Sequence, residues 1–102
     1  MAERSGVRIV IDEIPALPGA LEAARAGVRT GGDPRNREFA PVEATGVAEE
    51  RLALGYDAQT AGGLLISLPS DKGLSLAAEF RARGLFLARV GAVEDGSGLA
   101  VR

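Results

Sequence analysis

The sequence contains no cysteine and no histidine, and Lys72 is its only lysine. Without cysteine there is no disulfide, no thiolate zinc site and no thiol nucleophile. Without histidine the commonest general base and nitrogen ligand is gone as well. Catalysis would have to rest on Asp, Glu, the one Lys, Tyr, Ser, Thr or backbone groups, which argues against a self-contained active site and names no catalytic or metal-binding residue. Aromatic residues are scarce at 4%, so the core has to be built from Leu, Val, Ile and Ala. No run of 18 apolar residues occurs, and Met1-Ala2-Glu3-Arg4-Ser5-Gly6 has no apolar signal-peptide core. A net charge of −2 gives no electrostatic footprint for nucleic acid. The expectation is a cytoplasmic chain with neither nucleic acid nor membrane as partner.

What is present suits one small domain over residues 1–102, with 46% hydrophobic and 25% charged residues. Val7, Ile9 and Ile11 alternate with the period of a half-buried strand, and Val10 on the other face suggests cover on both sides. Leu17-Pro18 opens a helix that runs through Leu21 and Ala24 to a stop at Gly27. Residues 29–46 read as the longest irregular stretch. A short helix follows over Val47–Leu54, with Thr45 as its cap, Glu49-Glu50 near its positive end and Gly55 as its stop. Leu64–Leu68 reads as a buried strand between Gly62-Gly63 and Pro69. Ser70-Asp71 then cap a helix carrying Leu76, Ala77 and Phe80 on one face and ending at Gly84. Leu85–Val93 reads as a central strand, and Asp95-Gly96 turns it into a terminal hairpin with Gly98–Val101 as an edge strand. The order predicts an α/β (α+β) fold, a mixed β-sheet with helices packed on it.

Two segments are glycine-rich, polar and unlike packing sequence. In Gly31-Gly32-Asp33-Pro34-Arg35-Asn36-Arg37, paired glycines allow close backbone approach to a ligand, and two guanidinium groups suit phosphate. The same composition suits a solvated surface loop. In Asp57-Ala58-Gln59-Thr60-Ala61-Gly62-Gly63, the glycines could present N–H groups to an anion, with Gln59 and Thr60 as polar donors. A plain tight turn fits that run equally well. Asp57 alone is a poor Mg²⁺ site. Neither segment is a P-loop or a dinucleotide fingerprint.

Taken in order along the chain, three stretches resemble a known family. Asp57-Ala58-Gln59-Thr60-Ala61-Gly62-Gly63-Leu64-Leu65 resembles the D-[PA]-Q-T-S-G-G-L-L signature of selenophosphate synthetase (selenide, water dikinase). Leu17-Pro18-Gly19-Ala20-Leu21-Glu22 is similar to the family's L-P-G-A-L-E stretch, and Gly31-Gly32-Asp33-Pro34-Arg35-Asn36 to its G-G-T-x-R-N loop. The resemblance implies part of a C-terminal domain of the aminoimidazole ribonucleotide synthetase type. It implies a parent enzyme that uses ATP, Mg²⁺, selenide and water to make selenophosphate, AMP and phosphate. It also implies that Gly31, Gly32, Arg35, Asn36, Asp57, Gln59, Thr60, Gly62 and Gly63 face a cleft between domains.

The family's reactive Cys or selenocysteine, its partner Lys and its Mg²⁺-holding aspartates belong upstream and have no counterpart here. The D-x-T-G-F-G-L-x-G-H motif that opens the family's C-terminal domain is missing too, so the resemblance implies a chain beginning inside that domain. Two positions depart from the pattern, Ala61 for the family's Ser and Asp33 for its Thr. The implied partner is the ATP-binding N-terminal domain, in the same or a separate chain. An uncovered sheet face or edge would add self-association, as a homodimer or an aggregation-prone monomer. A stand-alone phosphate- or nucleotide-binding module, or part of a related ATP-dependent synthetase or kinase, remains the alternative.

Overall fold

A computed structural model describes residues 2–58 and 62–102. Gln59, Thr60 and Ala61, which the sequence placed in the second candidate segment, lie outside the described residues. The described elements run in the order α1 (Ala2–Ser5), β1 (Val7–Ile11), α2 (Ala20–Arg25), α3 (Asp33–Phe39), β2 (Glu43–Ala44), α4 (Glu49–Tyr56), α5 (Ser70–Ala82), β3 (Gly91–Asp95) and β4 (Gly98–Val101). The strands form a mixed sheet in the order β2-β4-β1-β3. This is the α/β class the sequence predicts.

β1 forms where expected because its β-branched run suits a pleated surface. It pairs antiparallel with β3 and parallel with β4, so that Val10 stands opposite both Ala92 and Ala100. Val10 is 1% exposed, and with Ala2, Ala24, Ala53 and Ala100 it makes up the fully buried apolar set among the described residues. A core of one valine and four alanines contributes little apolar area per residue, so backbone pairing carries an unusual share of the order. α1 packs on β1 and β4, while α2 packs on α4, and α3 leans on α4.

Several sequence expectations are corrected. The stretch 29–46 is not irregular throughout: Asp33–Phe39 is helical, with Pro34 in the first turn, where its missing N–H costs nothing. An i,i+4 ion pair of 2.8 Å from Arg37 to Asp33 ties the helix along its length. The helix expected from Leu17 begins only at Ala20, after Gly19 at φ 83°, although Gly27 ends it in the left-handed conformation as predicted. Thr45 and Ser70 cap nothing. Ala48 and Pro69 hold those positions without side-chain hydrogen bonds, and Gly55 lies inside α4.

Leu64–Leu68 is neither a strand nor buried; Leu64 is 91% exposed. Only the end of the Leu85–Val93 run is paired. Its residues before Val90 project past the end of β1, because Asp12 and Glu13 both donate to the Val90 carbonyl and the chain then turns away at Pro15. Nor do β3 and β4 form a hairpin. β1 is inserted between them, and β4 is interior, flanked by β2 and β1. The link crosses the start of β1, with Gly96 at φ 129° and Gly98 at φ 87°.

α5 has no buried residue, and Leu85, Phe86 and Leu87 of its own flank lie beside Ala77 and Phe80. The radius of gyration of 14.8 Å exceeds the roughly 13 Å of a compact chain of this length, as a helix standing off the sheet requires. Among the described residues no helix is long and apolar enough to cross a membrane.

These contacts separate two glycine substitutions. A Cβ on Gly91 would overlap the Val10 carbonyl, so Gly91→Ala is expected to lower stability by about 1–3 kcal/mol in urea unfolding. Gly73, inside α5, has open space around it, and Gly73→Ala is expected to leave stability unchanged or raise it by up to about 1 kcal/mol.

Candidate functional site

Where α3 and α4 touch, the first glycine-rich segment meets the residue that precedes the second. The Asn36 Nδ2 donates to the Tyr56 carbonyl at 2.9 Å, and the Tyr56 hydroxyl donates to the Ala40 carbonyl at 2.9 Å. Asp57 follows Tyr56 directly, so the first segment is pinned beside the start of the second. Asn36 therefore has a structural partner, and only what remains of its amide could meet a ligand.

Arg37 completes the joint. Its Nε donates to Asp33 at 2.8 Å, its NH2 group donates to Glu49 at 2.7 Å, and its guanidinium lies 5.0 Å from the centroid of the Tyr56 ring. Asp33 is largely buried beneath this arrangement, at 9% exposure. The hydrogen bond from Arg37 to Asp33, and then the contacts with Glu49, raise the Arg37 pKa against the opposing effect of burial. The negative charge of Asp33 is thus neutralised within the chain.

The sequence offered two arginines for an anion, and the structure separates them. Arg37 is committed to two carboxylates, whereas Arg35 is exposed and makes no ion pair among the described residues. Gly31 and Gly63 are exposed, and a Cβ on either would meet open space; Gly32 precedes α3 with φ −86°. None of these three glycines needs the left-handed conformation, so the structure places no preformed N–H nest at them. Asp57 and Gly62 are exposed, while Gln59 and Thr60 lie outside the described residues. Sequence reasoning missed the structural part of Arg37. The i,i+4 spacing of Asp33 and Arg37 was the available signal.

A second ion pair joins α2 to α4. Arg25 reaches Glu50 at 2.9 Å, and Glu50 has a lowered pKa, first from a backbone hydrogen bond at the start of α4 and then from Arg25. Away from the candidate segments, an open groove of about 630 Å³ lies at the ends of β1 and β4. It is lined by Ile11, Leu21, Leu54 and Val101, with Arg51 donating to the Asp12 carbonyl at 3.1 Å. None of the candidate residues lines it.

The chain is similar in sequence to curated proteins of one kind. It is 36% identical over 94 residues to selenide, water dikinase 2 of Peptoclostridium acidaminophilum, which is 88% of this chain and 27% of that protein. It is 36% identical over 88 residues to the selenide, water dikinase of Pelobacter propionicus, 83% of this chain and 25% of the relative. It is 41% identical over 76 residues to that of Caldanaerobacter subterraneus, 71% of this chain and 22% of the relative. The chain thus spans about a quarter of the length of the relatives it matches. No family model and no solved structure matches it.

Asn36→Ala is expected to cost about 1 kcal/mol and to speed amide exchange at Asp57, read by hydrogen-exchange mass spectrometry. Because the Glu50 pKa is lowered on folding, its contribution to stability is present above the ordinary carboxylate value. It is lost as pH falls through the lowered one. Glu50→Gln is expected to flatten that acid limb in unfolding curves recorded across pH.

Proposed function

The chain belongs, along most of its length, to the selenide, water dikinase family, and from that premise we propose that it is the latter part of the C-terminal domain of a selenophosphate synthetase. In this reading it lends two segments to a cytoplasmic enzyme that turns ATP, selenide and water into selenophosphate, AMP and phosphate. The groups that react are supplied from outside the matched quarter. The observation that supports the reading is the bond from Asn36 in the first segment to the carbonyl of Tyr56, the residue that precedes the second.

Each candidate residue then has a limited task. Arg35, whose guanidinium has no carboxylate partner among the described residues, is the side chain suited to a phosphate oxygen. Asn36 and Arg37 set the position of the first segment against the second, and Gly31, Gly32 and Gly63 leave room beside the backbone. Gln59 and Thr60 add polar donors in the second segment by resemblance alone. A lone carboxylate such as Asp57 is a poor Mg²⁺ site, so the ion is proposed to be held by the remainder of the enzyme and no step is assigned to it here. The ATP-binding domain is the proposed partner, in the same chain or another.

The purified chain is expected to release no AMP from ATP and selenide. When it is combined with the remainder of a selenide, water dikinase, Arg35→Ala is expected to lower selenide-dependent AMP release by about tenfold or more without changing the unfolding midpoint. Full activity in that variant would remove Arg35 from the site. Micromolar binding of ATP, AMP or phosphate by the isolated chain in calorimetry would favour a stand-alone binding module instead.

A further inference from the structure

α3 packs on α4, and the polar contacts that join the two helices among the described residues converge on one side chain. Tyr56, half-buried at the end of α4, accepts from the Asn36 Nδ2 at its carbonyl and donates through its hydroxyl to the Ala40 carbonyl, both at 2.9 Å. Its ring centroid lies 5.0 Å from the Arg37 guanidinium. Asn36 and Ala40 stand four residues apart and share a face of α3, while Arg37 adds the neighbouring position, so the three contacts set the rotation of the helix as well as its distance. The remaining link, Arg37 to Glu49, is exposed at the opposite end of α4, and such a pair contributes little alone.

Tyr56 is itself held from the other side. A Cβ on Gly55 would stand 3.3 Å from the Ile14 Cδ1, so this glycine lets the chain leaving β1 close on the last turn of α4. Arg51 donates to the Asp12 carbonyl at 3.1 Å from the same helix. Glycine weakens a helix interior, and its place here follows from that close approach. The last turn of α4 is therefore fixed to the end of β1, and α3 is fixed to that turn through Tyr56. Arg35 precedes Asn36 directly and Asp57 follows Tyr56, so each is one residue from the joint.

We propose that Tyr56 is a positioning residue: it touches no substrate and holds the backbone of Arg35 in place against the turn into Asp57. The inference rests on the enzymatic reading for its ligand, while the coupling of the two segments needs only the intact chain. An arginine gives up side-chain freedom when it closes on a phosphate, and an anchored backbone leaves less to be lost at that moment. Loosening the joint therefore weakens binding of the ligand, whereas the reacting groups, supplied from elsewhere, keep their rate.

Two variants and two readouts test this. In the purified chain, Tyr56→Leu removes hydroxyl and ring together. It is expected to speed amide exchange several-fold both at residues 36–40 and at Asp57, whose N–H donates to the Leu54 carbonyl, while α5 exchanges as before. Tyr56→Phe keeps the ring beside Arg37 and is expected to restore part of that protection. One exposed hydrogen bond is a small share of stability, so this variant folds. In the chain combined with the remainder of a selenide, water dikinase, KM for ATP is expected to rise about tenfold in Tyr56→Leu and about threefold in Tyr56→Phe, with kcat nearly unchanged. A role in folding alone would lower kcat with the folded fraction and leave KM unmoved. Exchange that speeds in α3 but not at Asp57, or a KM unmoved in both variants while Arg35→Ala raises it, would overturn the positioning role. A combined wild-type enzyme that releases no AMP removes the enzymatic reading instead, and the exchange result then decides the coupling by itself.

Discussion

Val10 lies between two alanines, Ala92 on β3 and Ala100 on β4, on a strand paired along both edges, and α1 packs over β1 and β4. Burying one valine stabilises the chain by about 1.5–3 kcal/mol, a modest amount for the element that everything else is hung upon. β1 is the sole described strand with partners of both polarities. It fixes where β3 and β4 sit, and β4 in turn receives β2 after the chain has passed through α2 and α3. The order of the sheet therefore rests on backbone pairing and close approach more than on large apolar anchors.

The joint between α3 and α4 follows a different physics. Four charged side chains, Arg29, Asp33, Arg37 and Glu49, satisfy one another across the helices, with Tyr56 beneath. Individually such exposed pairs are weak, but Arg37 is held at once by Asp33, Glu49 and the ring, which fixes one geometry for the turn into Asp57. The cost to any phosphate-binding role is specific. Of the two arginines in the first segment, Arg37 is paired inside the chain, whereas Arg35 makes no ion pair among the described residues.

Two helix stops were legible because their cause is local, whereas the expected ends at Leu17, Thr45, Gly55 and Ser70 were not. Gly27 and Gly84 read as stops from sequence and both adopt the left-handed conformation that favours glycine. Strands were legible only where a partner exists. Val7–Ile11 and Leu64–Leu68 look alike as apolar runs, yet one is paired on both sides and the other on neither, because pairing is decided by residues far away in the chain. The inserted position of β1 between β3 and β4 is non-local in the same way, and the Asp95-Gly96 turn signal could not reveal it. α3 was hidden by Gly31-Gly32-Asp33-Pro34, a breaker-rich run that also happens to suit a helix start. At the site, the sequence marked both segments as unlike packing sequence. It could not show that Asn36 spans them or that Asp33 withdraws Arg37.

Tyr56 is the one tyrosine of a chain with no tryptophan, and its ring lies under the Arg37 guanidinium at the junction of the two segments. Near-ultraviolet absorption and intrinsic emission from this protein thus originate almost wholly at a single joint. An optical titration of the unlabelled chain watches that joint and nothing else, so that α5 could detach or melt without changing the signal.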